Sequence, residues 1–436
     1  MSKQVAFVRT EMLPQQSPPA TSVGVVGWAR ENLFSGWLNS AITVLFVGLV
    51  LYILSQILPW VISPTWNGTS LSDCREILAE AGRSGGHGGA CWGVIRERWI
   101  QLMFGFYPSE LYWRPILAFL LLAVALAPVL FADKVPTKLL AFSAAYPFIF
   151  PWLLWGGTIW GPLAAAAGFA IGYYGYKYIG NALGSLFGLI AGVLLALIWW
   201  FWVSGLVTAG LGNILPIGLE VVESRKFGGF MLSITIGIVA IACSLPLGIV
   251  LALGRRSDLM IVKYLCVGFI EFIRGVPLIT LLFVASTLLN IFMPPGTNFD
   301  IILRVLIMVT LFASAYMAEV IRGGLAALPK GQYEGADSLG LNYWQAQRLI
   351  IMPQALKISI PGIVSTFIGV FKDTTLVSII GLLDPLGLSN AIRADANWNG
   401  VVWELYGFIA VLFFVFCFGM SRYSMYLERK LQTGHR

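Results

Sequence analysis

Long runs of apolar residues recur along this chain, and the polar residues fall mostly between them. The run 184–203 (GSLFGLIAGVLLALIWWFWV), for example, contains no charged residue. About 20 apolar residues in an α-helix are enough to cross the hydrocarbon core of a bilayer, which is about 30 Å thick. Segments of about ten residues with alternating hydrophobicity, the pattern of a membrane β-barrel, are absent from the sequence. The pattern therefore predicts an all-α polytopic membrane protein.

Ten candidate transmembrane helices follow from this pattern. The fourth is the weakest, because its sequence GPLAAAAGFAIGYYGY is rich in small residues and barely long enough. Before the first helix, residues 27–38 alternate Trp, Leu and Phe with Arg and Glu, which predicts an amphipathic helix on the membrane surface. The ten predicted helices lie near residues 41–61, 113–131, 138–155, 161–177, 185–205, 229–252, 263–291, 301–321, 357–381 and 402–421.

The composition agrees with a membrane protein. Of the 436 residues, 58% are hydrophobic and 11% are charged, and the mean hydropathy is +0.81. A soluble domain of this length needs far more charge on the surface that faces water. The basic residues form no tract with interleaved aromatic residues, so we expect no nucleic-acid partner. The two histidines, His87 and His435, are predicted on opposite sides of the membrane, and we therefore expect no metal site.

The distribution of basic residues predicts the orientation. With the N-terminus inside, most of the 28 Lys and Arg residues fall in inside segments, among them Lys134, Arg255 and Lys330. This excess favours both termini in the cytoplasm, and ten helices give the even number of crossings that this requires. Residues 1–22 lack the apolar segment of a cleavable signal peptide and are predicted to form a polar tail.

Two of the five cysteines lie together in the long polar stretch 62–112. Cys74 and Cys91 flank a glycine-rich sequence there, and the predicted orientation places the stretch outside the cytoplasm. Disulfides persist in such oxidising compartments, so we expect these two cysteines to be bonded. The alternative is a pair of free thiols.

Polar residues divide the chain into parts. Residues 1–38 are predicted to form the cytoplasmic tail and the interfacial helix. Residues 39–227 contain five predicted transmembrane helices with few polar residues in them. Residues 228–436 contain five more, with polar motifs inside and between the helices. We expect this last part to be the working core.

The inside loop 323–356 (GGLAALPKGQYEGADSLGLNYWQAQRLIIMPQAL) has the pattern of two short helices joined at a glycine. It opens on the helix breakers Gly323, Gly324 and Pro329. The helix-prone run 332–339 follows and stops at Gly340, which can serve as the C-terminal cap.

A second helix is predicted after this glycine. Asn342 can cap its N-terminus, with Gln345 as the reciprocal partner three residues later. Pro353 is expected to end or kink this helix. Two short helices joined in this way predict a rigid cytoplasmic knob, which a simple connecting loop does not need.

This loop resembles the coupling-helix signature of the permeases of ATP-binding cassette (ABC) importers, EAA-x3-G-x9-I-x-L-P. The matching residues are Glu334-Gly335-Ala336, Gly340, Ile350 and Met352-Pro353. Gly335 in place of Ala and Met352 in place of Leu are the two departures, and both are small or volume-conserving. The resemblance implies a type I importer permease core in residues 228–436, with an N-terminal helical extension. It also implies that Glu334, Gly335, Ala336, Gly340 and Pro353 contact or position an ATPase.

The resemblance further implies partners and a location. In that family the knob docks into a groove on an ATP-hydrolysing subunit, and a second, similar permease completes a heterodimer in a bacterial inner membrane. A dimer of the ATPase and a periplasmic substrate-binding protein are the other expected partners. The chain contains no G-x-x-x-x-G-K-[ST] loop, so no cofactor is expected on it, and ATP and Mg are expected on the ATPase.

Three segments of the core resemble the polar amino-acid permeases in particular: EFIRGVPLI at 271–279, AYMAEVIRGG at 315–324 and FKDTTLVSIIGLLD at 371–384. The first half, with ACWGVIRERWIQLMFGFYP, resembles the longer M-type permease of general L-amino-acid systems. Relative to that type, residues 158–210 look like an added helical hairpin. The resemblance implies import of L-amino acids by alternating access.

Charged residues inside the predicted helices need a reason, because a charge near the bilayer centre costs about 2.5–3.5 kcal/mol on insertion scales. Lys372 and Asp373 lie within the ninth helix, and Thr374 follows as a weak helix former. One interpretation is a local break that lines the translocation path. The other is a Lys–Asp pair that satisfies itself within the helix, or a pair of hydroxyls that packs against a neighbouring helix.

Two pairs spaced three residues apart, Glu271 with Arg274 and Glu319 with Arg322, lie on common helix faces. Pro277 is expected to kink the helix after the first pair. We predict a gating or structural role for these residues, with direct contact to the transported molecule as the alternative.

An amino acid needs a small polar pocket near the middle of the membrane. Ser365 and Thr366 lie two turns before Lys372, and Ser314 is the matching hydroxyl on the neighbouring helix. We predict that Thr366 and Ser314 contact the substrate. The alternative is a hydroxyl bonded to the carbonyl four residues earlier in its own helix.

Two other classes of protein are disfavoured. A membrane enzyme needs a catalytic cluster such as HExxH, GxSxG or paired Asp-rich motifs, and the sequence contains none of these. A passive channel has no use for a knob that docks an ATPase.

Overall fold

The computed structural model describes residues 24–83, 89–288, 291 and 299–432. The predicted polar tail, His87 and His435 lie outside these residues. Among the described residues, eight helical segments are long and apolar enough to cross a membrane, and a strongly bent pair makes a ninth. The prediction of an all-α polytopic protein is confirmed, and the number ten was approximate: the weak fourth segment is a helix, Trp160–Leu183, but is not among the nine.

The chain forms two compact units, residues 1–93 and residues 94–436. The first contains the helices α1 (Gly24–Asn32), α2 (Trp37–Ile62) and α3 (Leu71–Glu80). The predicted interfacial helix 27–38 is instead divided, since α1 ends at Asn32 and α2 begins after Gly36.

The polar segment that follows α2 is held by a disulfide. The structure joins Cys74 on α3 to Cys91, and the backbone of Thr65 pairs with Cys91 in an isolated bridge. Trp66 stacks on Trp92 with ring centroids 6.0 Å apart. A loop rich in glycine and polar residues is therefore fixed at both ends.

The second unit begins with α4 (Gly93–Phe104), α5 (Trp113–Leu130) and α6 (Leu140–Trp155). Arg114 is completely buried near the start of α5. Its Nε donates to Leu153 O at 2.7 Å, and its Nη1 donates to Glu220 O at 2.7 Å. A cation satisfied by carbonyl oxygens at a helix C-terminus ties α5 to the end of α6.

Residues 157–219 form a helical hairpin close to the bounds 158–210 that the sequence predicts, and its being an addition to the permease pattern stays a prediction. It consists of α7 (Trp160–Leu183), α8 (Ser185–Ile198), a π-helical turn (Trp199–Val203) and α9 (Ser204–Ile214). Its two ends meet, because β1 (Gly157–Thr158) pairs antiparallel with β2 (Gly218–Leu219). The hairpin therefore leaves and rejoins the rest of the fold at one place.

The remaining helices carry the polar motifs. They are α10 (Gly229–Arg255), α11 (Met260–Gly275), α12 (Leu278–Phe283), α13 (Ile301–Ala326), α14 (Lys330–Ser338), α15 (Tyr343–Ala346), α16 (Met352–Asp373), α17 (Pro385–Arg393) and α18 (Trp403–Gln432). Two π-helical turns, Val284–Leu288 and Gln347–Ile351, and a 3₁₀ helix, Thr374–Ile380, extend them.

One large apolar cluster joins helices from both halves of the sequence. Leu122 of α5, Phe150 of α6, Ile236 of α10 and Val309 of α13 all belong to it. Within residues 94–436, the boundary predicted at 227/228 thus separates polar motifs from apolar helices without separating two hydrophobic cores.

Candidate functional site

The joint between α14 and α15, in the loop that connects α13 to α16, has the local structure that its sequence predicts. Gly340 has φ = 70°, and the helix α14 ends there: the N–H of Gly340 donates to Asp337 O at 2.9 Å, and the N–H of Leu341 donates to Ala336 O at 3.3 Å. These two bonds form a Schellman motif, which needs a residue that tolerates positive φ. The predicted glycine cap is confirmed.

The second short helix is capped as predicted. The N–H of Gln345 donates to Asn342 Oδ1 at 2.9 Å, and the N–H of Asn342 donates to Gln345 Oε1 at 3.0 Å. This reciprocal capping box fixes where α15 begins. The two caps leave only Leu341 between Gly340 and Asn342, which makes the joint between the two helices short.

One expectation for this loop was wrong, and another was wrong in part. Gly323 and Gly324 do not break a helix but lie inside α13, which continues to Ala326. Pro353 does not end the second helix: the helical run continues from α15 through the π-helical turn Gln347–Ile351 into α16, and Pro353 lies in the first turn of α16. A proline lacks an N–H and clashes with the carbonyl four residues back, and the wider π-turn before it accommodates both defects.

Glu334 and Gly335 are exposed on α14, whereas Ala336 is buried against the protein. Of these signature residues, Glu334 and Gly335 are thus accessible to a partner, and Ala336 packs the helix against the rest of the protein. Large apolar side chains are also exposed on this knob, which is unusual for a surface that only meets water. They are Leu339, Tyr343, Trp344 and Leu349.

The knob is linked to two long helices by polar contacts. Arg256, at the end of α10, donates to Tyr333 Oη at 3.0 Å, and its guanidinium lies 5.5 Å from the centroid of the Tyr333 ring. Gln354 of α16 donates to Gln332 Oε1 at 2.9 Å. These contacts connect α14 to the end of α10 and to α16.

Glu319 lies at the centre of a cluster of charged residues. Its carboxylate accepts a hydrogen bond from Arg322 Nε at 2.7 Å, as the spacing of three residues predicts. Arg255 Nη1 is 3.2 Å from Glu319 Oε2, and Arg274 Nη1 is 3.6 Å from the same oxygen. Three guanidinium groups from α10, α11 and α13 thus share one carboxylate, and we call this set the Glu319 cluster.

The other predicted pair is not formed. Glu271 and Arg274 lie on α11 as expected, but Glu271 pairs with Arg255 at 2.9 Å and Arg274 pairs with Glu319. Each residue of the pair therefore reaches across to another helix. The cluster connects three helices instead of stabilising one.

Pro277 marks a stronger change of direction than a kink. The helix α11 ends at Gly275, α12 begins at Leu278, and the two are bent by 102°. Because proline cannot continue the hydrogen bonding of a helix, the predicted seventh transmembrane helix is broken at this point. Arg274, just before the break, also lies 5.7 Å from the ring centroid of Tyr316 on α13.

The hydroxyls predicted to contact a substrate are bonded within their own helices in this conformation. Ser314 is fully buried and donates to Thr310 O at 2.6 Å, and Thr366 donates to Gly362 O at 2.9 Å. Ser365 is exposed. The contact of these residues with a substrate stays a prediction.

Lys372 and Asp373 do not pair with each other, since neither belongs to an ion pair among the described residues. The α-helix ends at Asp373, and Thr374 begins a 3₁₀ helix, so the backbone tightens at this point. Lys372 is exposed, whereas Thr374 is buried and donates to Phe371 O at 2.8 Å. Only one of the three side chains is therefore fully enclosed.

Sequence reasoning missed Arg255, Tyr333 and Gln354. Arg255 counted only as one of the basic residues that set the orientation, and nothing in the sequence indicates which carboxylate an arginine meets across helices. Among the described residues, no group of three His, Cys, Asp or Glu side chains could hold a metal ion.

The chain is similar to one protein family and to known permeases. Residues 244–433 match the family described as binding-protein-dependent transport system inner membrane component. The chain is 58% identical over 433 residues to the glutamate/glutamine/aspartate/asparagine transport system permease protein BztC of Rhodobacter capsulatus, covering 99% of each chain. It is 41% identical over 411 residues to the inner membrane amino-acid ABC transporter permease protein YhdY of Escherichia coli, covering 93% of each chain.

One solved structure is also similar over part of the chain. A chain of the crystal structure of an amino acid ABC transporter with histidines is 30% identical, with a TM-score of 0.42. The match covers 46% of this chain and 91% of the solved chain.

Proposed function

The chain belongs to the binding-protein-dependent permeases, in their polar amino-acid class, and from that premise we propose how its residues couple transport to ATP hydrolysis. It is the transmembrane permease subunit of an ATP-driven amino-acid importer and hydrolyses no ATP itself. A membrane enzyme and a passive channel are not favoured. The proposal concerns the partners, the path and the coupling residues.

We propose that the α14–Gly340–α15 knob docks onto the ATPase. The observation that carries this proposal is the exposed apolar side chains on the knob next to the outward-facing Glu334. Such a surface fits a protein groove with a basic residue at its edge. ATP and Mg are bound by that ATPase, a dimer in the complete transporter.

The knob moves the membrane helices through its polar links. When the ATPase dimer closes, α14 shifts, and the Tyr333–Arg256 and Gln332–Gln354 contacts carry the shift to α10 and α16. The Glu319 cluster then holds α10, α11 and α13 together so that they move as one group. Alternating access follows from the movement of this group about the break at Pro277.

The path for the substrate runs along α13 and α16, with Ser314, Ser365, Thr366 and the segment Lys372–Thr374 beside it. We propose that the substrates are polar L-amino acids of the acidic and amide type, because the relative that is 58% identical over 99% of its length is a permease for glutamate, glutamine, aspartate and asparagine. A second, similar permease completes a heterodimer, and a periplasmic protein delivers the amino acid. Both termini lie in the cytoplasm of the bacterium.

Gly340→Pro tests the coupling role. Proline cannot adopt φ = 70° and removes the N–H that donates to Asp337 O, so the joint between α14 and α15 changes direction. We expect the variant to insert normally into the membrane. In the reconstituted transporter, the rate of substrate-stimulated ATP hydrolysis should fall at least about tenfold.

Gly205→Ala is the control, because an added Cβ at Gly205 of α9, outside the knob, meets open space. It should keep stimulated hydrolysis at the level of the unmodified chain. Glu334→Lys should reduce co-purification of the ATPase. Normal stimulated hydrolysis in Gly340→Pro would disprove the coupling role of the knob.

A further inference from the structure

The α7–α9 hairpin takes no part in the coupling described above. Its base is closed by the β1–β2 pair and by Trp160, whose Nε1 donates to Leu215 O at 3.0 Å. Its outer surface carries exposed aromatic and aliphatic side chains. The hairpin is therefore held firmly at its base and presents its length to the membrane.

A groove of about 300 Å³ lies between α7 and α8. Its floor is bare backbone: a Cβ added to Gly172 would come within 3.1 Å of Gly192 O. Its walls are Tyr173 and Tyr176 on α7 and Val193 on α8. A groove with a glycine floor and apolar walls fits a long, thin hydrocarbon chain.

One charge stands at the tip end of this groove. Lys177 is the only Asp, Glu, Lys, Arg or His residue between Gly157 and Leu219. It is exposed and makes no ion pair among the described residues. It directly follows Tyr176 and comes one turn after Tyr173, two residues that line the groove, so it lies beside the rim of the groove at this end.

The position of Lys177 along α7 matches the level of lipid headgroups. At 1.5 Å per residue it lies about 26 Å along the helix from Trp160, near the far boundary of a hydrocarbon core about 30 Å thick. The rings of Tyr174 and Tyr178 stack beside it with centroids 6.2 Å apart, as interfacial tyrosines do. An unpaired ammonium group at this depth attracts an anionic headgroup.

We propose that the hairpin binds one anionic phospholipid, with its phosphate at the Lys177 ammonium group and an acyl chain in the groove between α7 and α8. The charge selects the headgroup, and the glycine floor admits the chain. The absence of any acidic residue from 157–219 means that nothing in the hairpin repels the phosphate.

Native mass spectrometry of the intact transporter, released from nanodiscs of phosphatidylglycerol and phosphatidylcholine, tests this site. We expect the unmodified protein to retain phosphatidylglycerol in preference to phosphatidylcholine. Lys177→Gln should reduce the retained phosphatidylglycerol about fivefold, because the variant keeps the groove and loses its only cation. Val193→Trp, which places a large ring over the groove, should reduce both lipids.

Lys138→Gln is the matched control. Lys138 is an exposed lysine before α6, and since α6 and α7 run in opposite directions from the β1–β2 base, it lies on the same side of the membrane as Lys177. It should leave lipid retention unchanged. Equal loss in Lys138→Gln and Lys177→Gln, equal retention of the two lipids by the unmodified protein, or unchanged retention in Lys177→Gln would each overturn the proposal. These outcomes do not depend on the proposed coupling role of the knob.

Discussion

Arg255 Nη1 lies 3.2 Å from Glu319 Oε2, although the two residues are 64 positions apart in the sequence. The same nitrogen is 2.9 Å from Glu271 Oε1. One arginine at the end of α10 therefore bridges a carboxylate on α11 and a carboxylate on α13. The contact turns separate charged residues into one cluster that binds three helices together.

Glu319→Gln is expected to disrupt this cluster. The change leaves three guanidinium groups close together with one carboxylate fewer, and like charges repel most where water is partly excluded. We expect amino-acid uptake into proteoliposomes to fall at least about tenfold, together with a lower unfolding temperature. The exposed pair Arg96–Glu97 gives the control: Glu97→Gln should change neither quantity. Unchanged uptake in Glu319→Gln would show that the cluster does not serve in gating.

Gly324 and its neighbour Gly323 should respond oppositely to alanine. An added Cβ at Gly324 would lie 2.0 Å from Ser359 Oγ and 2.5 Å from Ala355 O, whereas at Gly323 it would meet nothing within 4 Å. Alanine is the better helix former, so Gly323→Ala should be neutral or slightly stabilising. Gly324→Ala should lower the free energy of unfolding by about 1–3 kcal/mol, because it forces α13 and α16 apart. Thermal unfolding of the two variants in the same detergent checks this, and equal unfolding temperatures would refute the close packing.

Thr366→Trp tests the proposed path. A tryptophan in place of this half-buried threonine would obstruct a path beside α16 without touching the knob. We expect uptake to be lost while the ATPase still co-purifies. Ile358→Trp, on an exposed position of the same helix, should transport normally. If Thr366→Trp transports as well as Ile358→Trp, the path lies elsewhere.

Asp384 should make stability depend on pH. Asp384 lies in the segment between α16 and α18 and is fully buried. Its carboxylate caps α17 by accepting hydrogen bonds from the N–H groups of Leu386 and Gly387. Burial raises its pKa to about 6. The folded chain then holds this proton more tightly than the unfolded chain. The protonated carboxyl therefore makes its full contribution to the free energy of unfolding below pH about 4, and this contribution is lost as the pH rises through about 6.

Asp384→Asn keeps an acceptor oxygen and has no charge to bury. Its stability relative to the unmodified chain should therefore increase by about 2 kcal/mol between pH 4.5 and pH 7, the range that contains most of the effect of a shift of about two pKa units. Thermal unfolding in detergent at a series of pH values measures the difference. A constant difference across the range would mean that the carboxyl is ionised throughout.

Local patterns in the sequence were enough to predict the helices and the caps of the knob. Gly340, Asn342 and Gln345 act through hydrogen bonds to residues at most five positions away, and such short-range bonds depend on residue type and spacing. The prediction for Gly324 was wrong because the role of this glycine depends on a contact with a helix distant in the sequence. A glycine inside a helix and a glycine that breaks a helix look alike until the neighbouring helix is known.

By itself, the sequence determined that this chain is a helical membrane protein, because the length of an apolar run is a local property, and the spacing of the loop signature predicted a permease through its resemblance to a known family. Only the tertiary structure decided that Arg255 joins Glu271 to Glu319, that Glu271 and Arg274 reach to other helices, and that α7 and α8 leave a groove beside Lys177. The physical reason is that ion pairs and grooves form between helices distant in the chain. Their geometry depends on how those helices pack, which periodicity along one segment does not specify.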